Sequence, residues 1–173
     1  MLHLCMQSYV MQLSPQRKLE VRDAADKLLL DAGITNELPI HTEKVASHLG
    51  YRVQAFIPSK VTEGISGAVD YNDKIIFINA DEVPVRQHFT LAHEIGHIQL
   101  HNGETIVDFR EALFSPTSEK EHEANEFAGV LLMPSESFYL RWIETGGELA
   151  DMRKIFGVSE QAIKMRAGAL GLL

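Results

Sequence analysis

His93-Glu94-Ile95-Gly96-His97 sets two imidazoles four residues apart, with a carboxylate directly after the first. On a helix, residues four apart lie about 40° apart around the axis and one turn along it, so both rings can converge on one ion. Zinc takes nitrogen and oxygen ligands in a tetrahedron, and a catalytic site leaves one corner for water. Glu94 stands beside that face and can accept the proton of a water whose pKa the metal lowers to about 7. The spacing H-E-x-x-H on a helix is the metalloprotease pattern, and this composition produces it by chance only about 0.03 times in a chain of 173 residues. The surroundings strengthen the reading. Leu91, Ala92, Ile95 and Ile98 cluster opposite the two histidines, and Phe89 and Leu100 add apolar surface near them. A helix apolar on nearly all sides is buried, and polar groups placed within it need partners. Two satisfied core histidines beside a surface glutamate remain the plain alternative.

Two histidines and a glutamate do not complete a zinc site. His88 points about 140° away from His93 around the helix, so it is a poor ligand candidate. His101 continues the ligand face but lies about 12 Å along the axis from His93, too far to share one ion. Its expected place is the helix C-terminus, where the dipole favours it. An H-x-x-G-x-x-H continuation fails, because Leu100 and Gly103 occupy the glycine and histidine positions. Asp108 is one possible third ligand, in an irregular stretch. The next helix is a better source, with Glu121, His122 and Glu123 before Ala124-Asn125. Glu121 and Asn125 share a face, whereas Glu123 points about 160° away from Glu121, so both glutamates cannot reach one ion. Ser118-x-x-Glu121 is also a capping box, in which Glu121 would merely return to the helix start. Helical geometry alone leaves that choice open.

These residues need a scaffold. Ser14-Pro15 reads as a cap and first turn, followed by a stripe of Leu19, Ala24, Ala25, Leu28 and Leu29 that stops at Gly33. Thr42 is expected to cap a second helix ending at Gly50. The period then shifts: 51–57 and 64–79 are rich in β-branched and aromatic residues, with a hairpin turn at Asn72-Asp73. The apolar run Ile75–Ile78 predicts a strand buried on both faces. From Pro84 the chain reads as helical: 86–101, a looser stretch at 102–116, 119–134, 135–144, and a final pair at 148–157 and 159–170. Helices, a small sheet and more helices make an α+β fold. The expected division is a poorly ordered 1–13, a main domain over 14–145, and a C-terminal helical segment over 146–173 packed on it.

Composition bounds the rest. Hydrophobic residues form 45% of the chain and charged residues 23%, which is globular rather than disordered. Cys5 is the single cysteine, so a disulfide framework is excluded and a reducing cytoplasm is the expected location. A net charge of −8 argues against wrapping nucleic acid or lying on an anionic membrane. No run approaches the ~20 apolar residues of a membrane span, and the opening segment lacks the basic start of a signal peptide.

Together, 65–79, 86–101, 121–134 and, more loosely, 156–173 resemble the ImmA/IrrE family of bacterial metallopeptidases. The resemblance implies a zincin-like core, with Zn2+ held by His93, His97 and the glutamate of E-x-x-A-N, here Glu121. It makes Glu94 the general base. It also implies a protein substrate, a helix-turn-helix repressor encoded nearby whose cleavage relieves repression in a stress regulon, mobile element or toxin–antitoxin-like locus. One departure is Ala167-Gly168-Ala169 after Arg166, where the family usually carries a leucine and a charged residue.

The leading expectation is therefore a zinc-dependent endopeptidase. Tyr71, Arg86, His101 and His122 are the candidates for a donor to the developing oxyanion. The rival from another class is a non-catalytic zinc-containing module that sequesters a regulator, against which the intact Glu94 argues. A helix-turn-helix reading of 148–170 is weaker. Arg153 stands where close helix contact wants a small residue, and Arg153, Lys154, Lys164 and Arg166 are offset by Glu148, Asp151 and Glu160. DNA recognition is expected to belong to a partner.

Overall fold

The computed structural model describes residues 13–34, 37–101 and 118–173. The first twelve residues, and the stretch 102–117 with Gly103 and Asp108, lie outside the described residues. Within them are seven helices and one three-stranded sheet, an α+β arrangement.

Helix α1 spans Pro15–Asp31. The Ser14 hydroxyl accepts the Arg17 N–H at 3.1 Å, and Pro15 occupies the first turn, where its missing N–H costs nothing. Its buried face is Val21, Ala25, Leu28 and Leu29, while Leu19, expected in the stripe, is 48% exposed. Helix α2 spans Thr42–His48 and corrects the expected cap. Its N-cap is His41, and Thr42 lies inside the helix, fully buried, with no hydrogen-bond partner for its hydroxyl among the described residues.

Strands β1 (Arg52–Phe56), β2 (Gly67–Asp70) and β3 (Ile75–Asn79) form a sheet in the order β1-β3-β2. β3 pairs parallel with β1 and antiparallel with β2. The turn between β2 and β3 closes on the Asp70 carboxylate, which accepts the N–H groups of Asn72 and Asp73 at 2.9 and 3.0 Å. The two-faced burial expected of β3 holds on one face only. Ile76 and Ile78 are buried, whereas Ile75 and Phe77, pointing the other way, are partly exposed.

The Asn79 N–H donates to the Ser66 carbonyl at 2.9 Å, and these two positions continue the register of β2 with β3. Antiparallel pairing alternates, so Ala68 and Asp70 turn their backbone groups toward β3. Gly67 and Val69 turn theirs toward the free edge of β2.

Helix α3 (Pro84–His101) packs on the sheet and against α4 (Glu119–Leu132). A Cβ on Gly96 would stand 3.2 Å from both the Ala124 Cα and its carbonyl oxygen, so these backbones approach as closely as a glycine allows. Helices α5 (Ser135–Thr145), α6 (Leu149–Phe156) and α7 (Glu160–Ala169) complete the chain around buried Phe138, Phe156 and Ile163. Arg166 is 5% exposed, donating to the Met133 carbonyl and the Ser135 hydroxyl, each at 2.9 Å. That guanidinium ties α7 to the α4–α5 junction and is not presented to solvent. None of the described helices is long and apolar enough to cross a membrane.

Candidate metal centre

One turn of α3 separates His93 from His97, and both rings turn toward the first turn of α4. The two Nε2 atoms lie 3.0 Å apart. Glu121 closes the triangle, with Oε2 3.2 Å from His93 Nε2 and Oε1 3.1 Å from His97 Nε2. Two imidazole nitrogens and a carboxylate oxygen at these separations suit a small divalent ion. Four ligands at 2.0–2.1 Å in a tetrahedron stand about 3.3 Å from one another, close to the observed triangle.

The support around this triangle is specific. Asn125, one turn after Glu121, presents its Oδ1 at 3.0 Å from His93 Nδ1. An amide oxygen only accepts, so Nδ1 carries the proton and the Nε2 lone pair is free to face an ion. Ser118 caps α4, its hydroxyl accepting the Glu121 N–H at 3.3 Å. The cap is therefore present while the Glu121 side chain is spent on the histidines. Burial alone would raise the Glu121 carboxyl, yet hydrogen bonds from His93 and His97 hold it far below the usual carboxylate range. Burial likewise disfavours charged His93, but in the metal-free site a protonated Nε2 donates to Glu121, and with the charge of Glu94 this keeps it above the ordinary histidine value. The Glu94 carboxyl is raised by burial, which His93 and His97 offset in part.

Glu123 faces the other way. It is 6% exposed and takes an ion pair from Arg17 of α1, and its second oxygen lies 3.6 Å from His101 Nε2. His101 is buried at the end of α3, its ring centroid 5.4 Å from that of His97. His88 bridges two backbone carbonyls, Ile40 at 2.9 Å and Gly157 at 3.1 Å. Both histidines thus serve packing and hydrogen bonding, as their helical positions predict.

A cleft of about 330 Å³ opens over the triangle, lined by Ser66, Gly67, Arg86, Phe89, Thr90 and Glu94 among others. Of the four oxyanion candidates only Arg86 lines it, and its guanidinium is held by Glu82 and Ser66 about 10 Å along α3 from His93, away from the place of an oxyanion. Tyr71 is half-buried, and its phenol is pushed up to about 12 by burial and then by Glu94, so it stays protonated at neutral pH. Gly67 approaches this helix closely. A Cβ there would stand 2.6 Å from Thr90 Cγ2 and 2.7 Å from Glu94 Oε1.

Residues 43–167 match the family described as the IrrE N-terminal-like domain, a peptidase family. The chain is 37% identical over 99 residues to the radiation response metalloprotease IrrE of Deinococcus radiodurans, a match covering 54% of this chain and 30% of that one. It is 32% identical over 93 residues to an uncharacterized immunity region protein of Bacillus phage phi105, covering 53% and 57%. The matched segment thus spans a third to just over half of these relatives. A solved Mycobacterium tuberculosis transcriptional regulator shares the fold at a TM-score of 0.65 and 16% identity, over 88% of this chain and 58% of that one. With two histidines and a glutamate gathered beside the half-buried Glu94, and most of its length matched, the chain belongs to the IrrE N-terminal-like family of metallopeptidases.

Proposed function

We propose that this protein is a zinc-dependent endopeptidase that cuts a helix-turn-helix repressor or a similar regulator, relieving repression in the cytoplasm. The observation that carries it is the triangle of His93, His97 and Glu121 with Glu94 beside it. These three side chains would hold the ion. When bound, zinc acidifies a water and polarises a carbonyl. Glu94 accepts the proton of the attacking water on its carboxylate and passes it to the departing amine nitrogen. Burial raises its carboxyl above the ordinary carboxylate value, which strengthens it as a proton acceptor. Asn125 fixes the His93 tautomer, and the free N–H groups of Gly67 and Val69 offer an edge on which an extended substrate pairs. A relative named for a phage immunity region supports a regulator as the partner. Residues 14–145 form the peptidase domain in this reading, with 146–173 as its C-terminal helical segment.

Protein purified without added metal should carry one zinc per chain. Histidine ligands must be neutral, so protons compete with the ion as pH falls toward and below about 6. The raised His93 pKa moves that competition toward neutrality, because the metal-free site takes up its proton earlier. Zinc titrations across pH 5–8, paired with cleavage of the regulator encoded beside the gene, test both halves. Affinity unchanged through that range would contradict histidine ligation, and cleavage surviving chelation would contradict the metal mechanism.

The cleft wall gives another expected result. Gly67→Ala must push Glu94 or Thr90 aside, so turnover should fall about 10- to 100-fold while zinc stays bound. Turnover and metal content measured together check it, and an unchanged rate would place the working carboxylate elsewhere.

A further inference from the structure

We propose that Arg86 is a specificity-determining residue, selecting substrates with an aspartate or glutamate about three residues from the scissile bond. The proposal rests on the peptidase reading of the site. Arg86 lies seven residues before His93, so it projects from nearly the same face of α3 and stands about 10 Å further along. An extended peptide advances about 3.3 Å per residue, so a chain whose carbonyl sits at the histidines passes Arg86 about three residues away. Arg86 is the sole lysine or arginine among the described residues lining the cleft.

The guanidinium is already oriented. Its Nε donates to Glu82 Oε1 at 3.0 Å, and its Nη2 lies 3.4 Å from the Ser66 hydroxyl. Ser66 in turn donates to the same Glu82 oxygen at 2.6 Å. The Glu82 side chain is only 15% exposed, so it acts as a fixed anchor, while that of Arg86 is 66% exposed. These contacts engage one edge of the fork. The Nη1 donors have no partner among the described residues, and a guanidinium fork matches a carboxylate. Pre-orientation lowers the entropy lost when that match forms.

The test uses zinc-loaded protein and a library of random twenty-residue peptides, with new termini sequenced by mass spectrometry. Aspartate and glutamate should be enriched about three- to tenfold at one position near the third residue from the cut. Arg86→Gln should erase that enrichment and raise KM for an acidic peptide, with kcat within about twofold. Arg86→Lys should keep part of it, since the charge remains without the fork. Glu82→Gln should sharpen it, because the competing carboxylate is gone; a merely structural Arg86–Glu82 pair would not do this. Cleavage without acidic enrichment, or enrichment that survives Arg86→Gln, overturns the role of Arg86 and leaves the peptidase reading standing. A library left intact by the wild type overturns the peptidase reading and the subsite together.

Discussion

Glu94→Gln should abolish cleavage of the regulator and leave zinc at one ion per chain. The substitution keeps the side chain's size and removes only its capacity to take a proton. General-base loss costs about 10²- to 10⁴-fold in rate, which places turnover below detection in a cellular assay. No partner needed by the triangle is removed, since His93, His97 and Glu121 face one another. The decisive measurements are zinc content, cleavage in vitro and repression in cells, all on the same variant. Should repression still be relieved, the protein works by sequestering its partner, and the rival binding-module reading replaces the enzymatic one.

Zinc titrations of Glu121→Gln and Glu123→Gln separate two glutamates that lie two residues apart. The Glu121 oxygens stand 3.1 and 3.2 Å from the histidine nitrogens, so losing its charge should weaken zinc binding more than a hundredfold. Second-layer partners of a metal site are worth only about 10- to 100-fold. Glu123 is spent on Arg17 and sits beside His101, and its carboxyl is held below the usual range chiefly by the Arg17 hydrogen bond. Glu123→Gln should therefore bind zinc nearly as the wild type does, while losing about 1–3 kcal/mol of stability through the weakened pair. Because the folded-state pKa is depressed, the stability Glu123 supplies is present at neutral pH and fades as acid protonates it. The reverse outcome, metal lost with Glu123 and kept with Glu121, would reduce Glu121 to a helix cap.

What could be read in advance follows from the range of each interaction. His93, Glu94 and His97 belong to one helix, and helical periodicity brings them together without knowledge of the rest of the chain. The rotation between Glu121 and Glu123 is equally local, which is why one faces the histidines and the other α1. Spacing could not decide between cap and ligand for Glu121, because that depends on where α3 lies. The contacts of Arg17 with Glu123 and Arg166 with Met133 join positions 106 and 33 residues apart, and no local pattern marks them. Thr42 misled for a related reason. Its residue type favours a cap, but burial of the helix start placed it one step inside. The parallel partnership of β1 with β3 was hidden too, since a hairpin turn announces only its antiparallel neighbour.

The contact of Gly96 with Ala124 sets the spacing of the two helices that carry the three ligand side chains. The backbones of α3 and α4 meet where a methyl would stand 3.2 Å from Ala124 and Phe127, so a larger residue there would push Glu121 away from the histidine pair. Calcium asks for six to eight oxygens at about 2.3–2.6 Å, and magnesium for an octahedron that keeps several waters. Two nitrogens and one carboxylate offer either ion too few oxygens. A glycine that supplies none of the three side chains thus sets the distance across which they meet.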